Sequence, residues 1–187
     1  KPLLSDKNKL KVVPMVSAIN RSESFKLNNI NISDVKIGFI GSMDFEDGLD
    51  DLFAAINILP KSYSLLLAGR TEEGSQNEFY SCINNANDRI KYLGMLPFKD
   101  VKPILIQCDI LIGLAGKSEY SSELRSPLKI FDYMAVGKPI VATECKSHSD
   151  ILKSQHNVLF YKSGDFKNLA KKIKNISLNN NLANKLA

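Results

Sequence analysis

Residues 126 to 132 read Ser-Pro-Leu-Lys-Ile-Phe-Asp. Ser126 is a good helix N-cap, Pro127 suits the first helical position and Gly137 fits the C-terminal cap, so the sequence predicts a helix over 127–136. The unpaired amides and positive dipole end of such a helix suit a phosphate group. Lys129 and Asp132 stand three apart and share a face near that end. There the cation would assist a diphosphate, and the carboxylate, one turn deeper, would accept hydrogen bonds from two neighbouring sugar hydroxyls. A capped helix with a surface ion pair has the same spacing, so spacing alone leaves both readings open.

Other residues with chemical potential are less specific. The loop Gly41-Ser42-Met43-Asp44-Phe45-Glu46-Asp47-Gly48 has glycines that permit close backbone approach to a ligand, but it is neither a dinucleotide fingerprint nor a P-loop. Asp44, Glu46, Asp47, Asp50 and Asp51 could suggest a metal, yet acids in a first helical turn ordinarily answer the helix dipole, and no metal is expected. Arg70, at the end of an apolar run, reads as a phosphate or base contact or as a solvated loop arginine. Glu119 and Glu123 precede the key helix, within reach of a ligand bound there or simply in a solvated loop. His148 and His156 lack ligand-like spacing, and neither reads as catalytic. Lys167, Lys171 and Lys174 form a basic stripe that is either a solvated face or a membrane-surface contact.

The elements that position these residues follow from periodicity. Strand-length apolar runs at 35–41, 63–69, 89–94, 108–115, 138–143 and 157–161 alternate with helical patterns, the signature of parallel βαβ units. Leu49, Leu52, Phe53, Ile56 and Leu59 form one helical stripe ended by Pro60, and Phe166, Leu169, Ala170, Ile173 and Ile176 form another. A weaker helix is expected over 74–86, an irregular one over 97–107 where Pro103 kinks it or marks a late start, and a short one near 148–154. The runs are continuous rather than alternating, as in sheets covered on both faces. The expected fold is a doubly wound, Rossmann-like α/β domain with a parallel sheet of about six strands, spanning 34–187 with a last helix in its tail. Residues 1–33, polar apart from the island Lys11 to Val16, read as a connector.

Composition sets outer limits. A chain of 187 residues with 44% hydrophobic and 24% charged residues can bury one sizeable core, and no apolar run approaches the roughly 18 residues of a membrane span. The net charge of +5 favours anionic partners without selecting one. Cys82, Cys108 and Cys145 are odd in number, widely spaced and near apolar runs, which predicts reduced, mostly buried thiols in a cytosolic chain. The start lacks signal-peptide character and does not begin with Met, so the chain reads as a fragment of a longer protein.

With these residues in view, the chain resembles the C-terminal, donor-binding domain of the GT-B fold glycosyltransferases of the large retaining family four (group 1). Lys11 to Phe25 resembles the hinge segment, Ile37 to Ile56 the first strand, glycine loop and helix, and Ser64 to Arg70, Arg89 to Val101 and Cys108 to Ala115 the next three blocks. The most specific match is Ser-Pro-Leu-Lys-Ile-Phe-Asp-Tyr-Met-Ala-Val-Gly-Lys-Pro, 126 to 139, and His156 to Ile173 resembles the closing segment.

The resemblance implies a nucleoside-diphosphate sugar as donor substrate, held without a metal by Gly41, Ser42, Arg70, Leu93, Ser126, Pro127, Leu128, Lys129 and Asp132. It implies that the diphosphate sits at the helix N-terminus and that Asp132, where the family usually has Glu, grips the ribose. Ser42 and Asp47 occupy positions that are usually Arg and Lys, so two cations for the diphosphate are missing and Asp47 would repel it. Leu124 stands where the sugar-contacting glutamate is usual, which leaves Glu123 or Glu119 as candidates. The implied reaction is transfer with retention to an acceptor glycan or lipid-linked sugar bound by an N-terminal domain, in polysaccharide biosynthesis at the cytoplasmic side of a membrane, without nucleic acid. A non-catalytic assembly module and a GT-B sugar-nucleotide epimerase are the competing readings.

Overall fold

A computed structural model describes residues 29–86, 88–116, 118, 122 and 127–187. Six parallel strands, β1 (Val35–Ile40), β2 (Tyr63–Ala68), β3 (Ile90–Tyr92), β4 (Ile110–Gly113), β5 (Ile140–Thr143) and β6 (Leu159–Tyr161), lie in the order β3-β2-β1-β4-β5-β6. β1 is central, pairing with β2 from Val35 opposite Tyr63 to Ile40 opposite Ala68, and with β4 at Ile37 opposite Ile110. The expected Rossmann-like sheet is therefore present, with β4 and β5 buried along their whole length.

Helices α1 (Leu49–Ile58), α2 (Gln76–Asn84), α6 (Phe166–Leu178) and α7 (Asn180–Leu186) supply one core cluster, in which Phe53, Ile56, Phe79, Leu169, Ile173 and Leu186 are buried. Helices α3 (Phe98–Gln107) and α4 (Leu128–Ala135) pack the second, through Leu105, Ile130 and Tyr133. Winding outward from β1 in both directions places the helices on two faces, because each right-handed βαβ crossover must cover the sheet beside the strand it leaves. Ile30 is buried in the first cluster and its N–H donates to the side-chain oxygen of Asn180. Asp51, buried in the first turn of α1, accepts from the Gly164 N–H at 2.7 Å and so ties the turn before α6 to α1.

Several boundaries differ from the sequence reading. α3 starts at Phe98 and runs through Pro103, so the proline does not mark a late start. The bond it forgoes is the one to the carbonyl of Lys99, a single loss that ten residues of helix tolerate. Helix α4 begins at Leu128, and Pro127 with φ −83° and ψ 69° takes the cap position rather than the first helical one. At the other end, Gly137 stops the helix in the left-handed conformation, as predicted, donating to the Met134 carbonyl. The short helix α5 is Lys146–Ser149 rather than 148–154: the Ser149 and Asp150 N–H groups donate to the Cys145 and Lys146 carbonyls and set the earlier turn, which an exposed ion pair from Lys146 to Asp150 (2.7 Å) spans. The three cysteines are unpaired, but only Cys108 is buried; Cys82 and Cys145 are half-buried.

Four polar contacts fasten the carboxyl edge of the sheet. The hydroxyl of Tyr133, a fully buried residue of α4, accepts from the Ile40 N–H at 3.0 Å. Tyr161 accepts from the Thr143 hydroxyl, which in turn accepts from the Ala115 N–H. His148 of α5 donates from Nδ1 to the Thr143 carbonyl at 2.8 Å. Burial above all, with Lys129 acting in the same direction against the Thr143 bond, pushes this imidazole down from 6.5 to about 4. At Gly69, in a positive-φ conformation (140°), a Cβ would collide with the Gly41 carbonyl, so the loops after β1 and β2 touch backbone to backbone.

These contacts set three expected outcomes. Gly69→Ala should lower stability in urea by about 3 kcal/mol, from the clash and the backbone strain together. Tyr133→Phe should cost about 1 to 2 kcal/mol, since it leaves the Ile40 N–H without its partner. His148 binds its proton more weakly folded (about 4) than unfolded (6.5), so between those values the unfolded chain holds more protons and stability falls as pH drops through the window. The slope from this residue approaches about 1.4 kcal/mol per pH unit, and His148→Gln should flatten the urea midpoint against pH there.

Candidate functional site

A cavity of about 320 Å³ opens between the carboxyl ends of β1 and β4, the point where the chain reverses its winding direction. Ligands of doubly wound sheets bind at such a reversal, because the two loops leaving it diverge and leave a gap. Ile40, Gly41 and Ser42 come from the end of β1, Leu114 and Ala115 from the end of β4, Pro127, Leu128, Lys129 and Asp132 from α4, and Ser147 and His148 from α5. Asp47, before α1, completes the lining.

α4 is placed by its apolar face. Ile130 and Tyr133 are fully buried, and the Ile130 side chain fills the space that a Cβ on Gly113 would take. Residues 129 and 132 fall on the adjoining face and so reach the cavity. The start of the helix faces the same space at Leu128 and Lys129, so its first amides and positive dipole end border the cavity.

Lys129 is drawn back against the β1 loop. Its Nζ lies 4.8 Å from the centroid of the buried Phe39 ring, a cation–π contact, and a Cβ on Gly41 would stand 3.1 Å from that nitrogen. The space left by the missing side chain of Gly41 is thus used by Lys129. Among the described residues of the lining, the charged groups are Lys129, Asp47 and Asp132, with Asp47 only 7% exposed. His148 faces this group as a neutral imidazole.

Of the residues singled out in the sequence, Gly41, Ser42, Pro127, Leu128, Lys129 and Asp132 are brought together here. Arg70 is not: it is exposed and paired with Glu72 at 3.1 Å. Leu93, half-buried after β3, also lies away from the lining and bonds through its N–H to the Leu67 carbonyl. Ser126, Glu119, Glu123 and Leu124 lie outside the described residues, as do residues 1–28. His148 and Ser147 line the cavity although spacing gave no sign of it; the available signal was their place just after β5, at the same edge of the sheet. Among the described residues no cluster of His, Cys, Asp or Glu suited to a metal ion occurs, and no helix is long and apolar enough to cross a membrane.

The fold has known counterparts. The family model for glycosyl transferases group 1 matches residues 34–179. No curated protein matches by sequence. Among solved structures, HepE of Anabaena in complex with UDP and glucose superposes with a TM-score of 0.73 at 19% identity, over 82% of this chain and 41% of that one. The C-terminal domain of a group 1 family glycosyltransferase, LpcC of Francisella tularensis, gives 0.67 at 16% identity, over 81% and 80%. Sucrose-phosphate synthase of Thermosynechococcus elongatus gives 0.68 at 18%, over 84% and 40%. The chain thus spans about two fifths of the HepE chain and most of an isolated C-terminal domain. It belongs to the group 1 glycosyltransferases and has the Rossmann-like fold of their GT-B C-terminal domains.

Proposed function

We propose that this chain binds the nucleoside-diphosphate sugar of a retaining glycosyl transfer and presents it to an acceptor held by an N-terminal domain. The observation that carries the reading is the cavity at the β1/β4 reversal, bordered by the first turn of α4 with Lys129 and Asp132. The leaving diphosphate gains negative charge as the glycosidic bond breaks. Amides and a helix dipole already aimed at that position, with the Lys129 ammonium beside them, would stabilise the charge without reorganising. Asp132, one turn along α4, would accept from the two ribose hydroxyls, and being shorter than glutamate it would hold the ribose nearer the helix. Glu119 or Glu123 would contact the transferred sugar. HepE is solved with UDP and with UDP-glucose, which makes uridine the first base to test. Residues 1–33 would serve as the hinge from the N-terminal domain, the acceptor would be a glycan or lipid-linked sugar, and the exposed lysines of α6, Lys167, Lys171 and Lys174, would face an acidic membrane.

A second reading is favoured by Asp47, a carboxylate in the lining of the cavity, and by Ser42, which brings no charge to it. On that reading the domain has lost transfer and serves in an assembly. Transfer by a complete chain rebuilt with its N-terminal half, with retained anomeric configuration in the product, would exclude it.

Calorimetric titration with UDP, GDP, ADP and their glucose conjugates should give saturable heat for at least one of them. Asp132→Ala should weaken that binding by roughly 10- to 100-fold, the worth of hydrogen bonds to a charged group, and Lys129→Ala by about 10-fold with a smaller dependence on salt. Absence of heat from every nucleotide would sink the donor-site reading. Asp47→Lys combined with Ser42→Arg should tighten binding if the cavity takes a diphosphate, and leave it unchanged if it does not.

A further inference from the structure

His148 lines the cavity yet is only 1% exposed. Its Nδ1 faces the Thr143 carbonyl oxygen at 2.8 Å. A carbonyl only accepts, so Nδ1 carries the proton, and Nε2 of the neutral ring is left as a lone-pair acceptor. Burial holds the imidazole down to about 4, so the ring is neutral near pH 7. Among the described residues Nε2 has no hydrogen-bond partner. Among the described residues the side-chain atoms sealed from solvent without a partner are Ser163 Oγ and Asn168 Oδ1, so Nε2 keeps a path to solvent. In a ring this buried, the remaining opening is the cavity it lines.

A bare nitrogen acceptor repels phosphate oxygens, which also only accept, and pairs with a hydroxyl. The remaining groups around it sharpen the choice: Lys129 approaches from α4, while Asp132 and Asp47 share the same lining. We propose that His148 Nε2 accepts a hydrogen bond from a sugar hydroxyl of the bound donor, belonging to the ribose or to the transferred hexose, and thereby selects a ligand that offers a hydroxyl there. The proposal rests on the cavity being the donor site.

Two variants separate this role from a structural one. His148→Asn keeps an N–H at the Nδ1 position for Thr143 and removes the acceptor, whereas His148→Gln sets an amide oxygen where Nε2 stands. Calorimetry on the 187-residue chain would use UDP, its 2′- and 3′-deoxy forms and UDP-glucose, or the matching guanosine or adenosine series if the wild type selects that base. The expected result is a loss of about 5- to 10-fold for Asn, with Gln within about two-fold of wild type, the order opposite to that of a structural role. If the ribose is the source, Asn weakens UDP itself and the difference from wild type vanishes with one deoxy form. If the hexose is the source, UDP is unaffected and UDP-glucose is weakened. Equal binding by wild type and Asn for every ligand, or rescue by Asn and not by Gln, would overturn the inference while leaving the donor reading in place. A wild-type chain that binds no nucleotide would overturn both. Should the Asn variant fail to fold, nitrogen-15 resonances of the wild-type ring decide: a shift of Nε2 on saturation with UDP or UDP-glucose supports the proposal, and an unmoved Nε2 refutes it.

Discussion

A parallel sheet that winds outward in both directions from one central strand has to leave a gap at the carboxyl edge where the directions part. In this protein that gap lies between β1 and β4. The Tyr133 hydroxyl, bonded to the Ile40 amide, holds α4 against the last residue of β1 and so fixes how wide the gap can be. Gly41, Gly69 and Gly113 each lack a side chain where backbone or a neighbouring side chain passes: Lys129 beside Gly41, the Gly41 carbonyl beside Gly69, and Ile130 beside Gly113. Small residues at these three places let the loops and α4 close on one another without filling the space above the strands.

The electrostatic character of the cavity follows from the same packing. Lys129 is held over Phe39, so its charge is pinned near the β1 loop rather than waving in solvent. Asp132 follows one turn later on α4, and Asp47 enters from the loop before α1. His148 adds an uncharged acceptor, because burial makes a second cation beside Lys129 costly. Among the described residues, the lining therefore pairs one cation and a helix dipole with several hydrogen-bond acceptors. Such a mixture matches a molecule with an anionic part and neighbouring hydroxyl groups better than a bare polyanion, which would offer no donor to the acceptors.

Much of this was legible beforehand because it rests on local signals. Continuous apolar runs reported strands covered on both faces, the 3.6-residue stripes of α1 and α6 reported the helices that cover them, and Gly137 reported where α4 stops. The Lys129 and Asp132 pair was legible too, since residues three apart on a helix share a face. The details that differ are those that apolar periodicity does not report. Pro103 is carried inside α3, which packs through Leu105, Pro127 caps rather than opens α4, and α5 begins at Lys146, whose side chain meets Asp150. Arg70, alike in sequence to a ligand-binding arginine, pairs with Glu72 outside the cavity, a choice between neighbours that a residue count cannot make.

The amino-acid order alone determined which stretches become strands and helices, their parallel arrangement and the helix whose amino end carries Lys129 and Asp132, because period, capping and chain direction are properties of neighbouring residues. Only the folded chain decided that Lys129 rests on Phe39 in the space beside Gly41, and that Asp47 and His148 share its cavity. Those meetings join residues tens of positions apart, and nothing in a local pattern encodes them: they arise when the sheet brings the ends of β1, β4 and β5 to one edge.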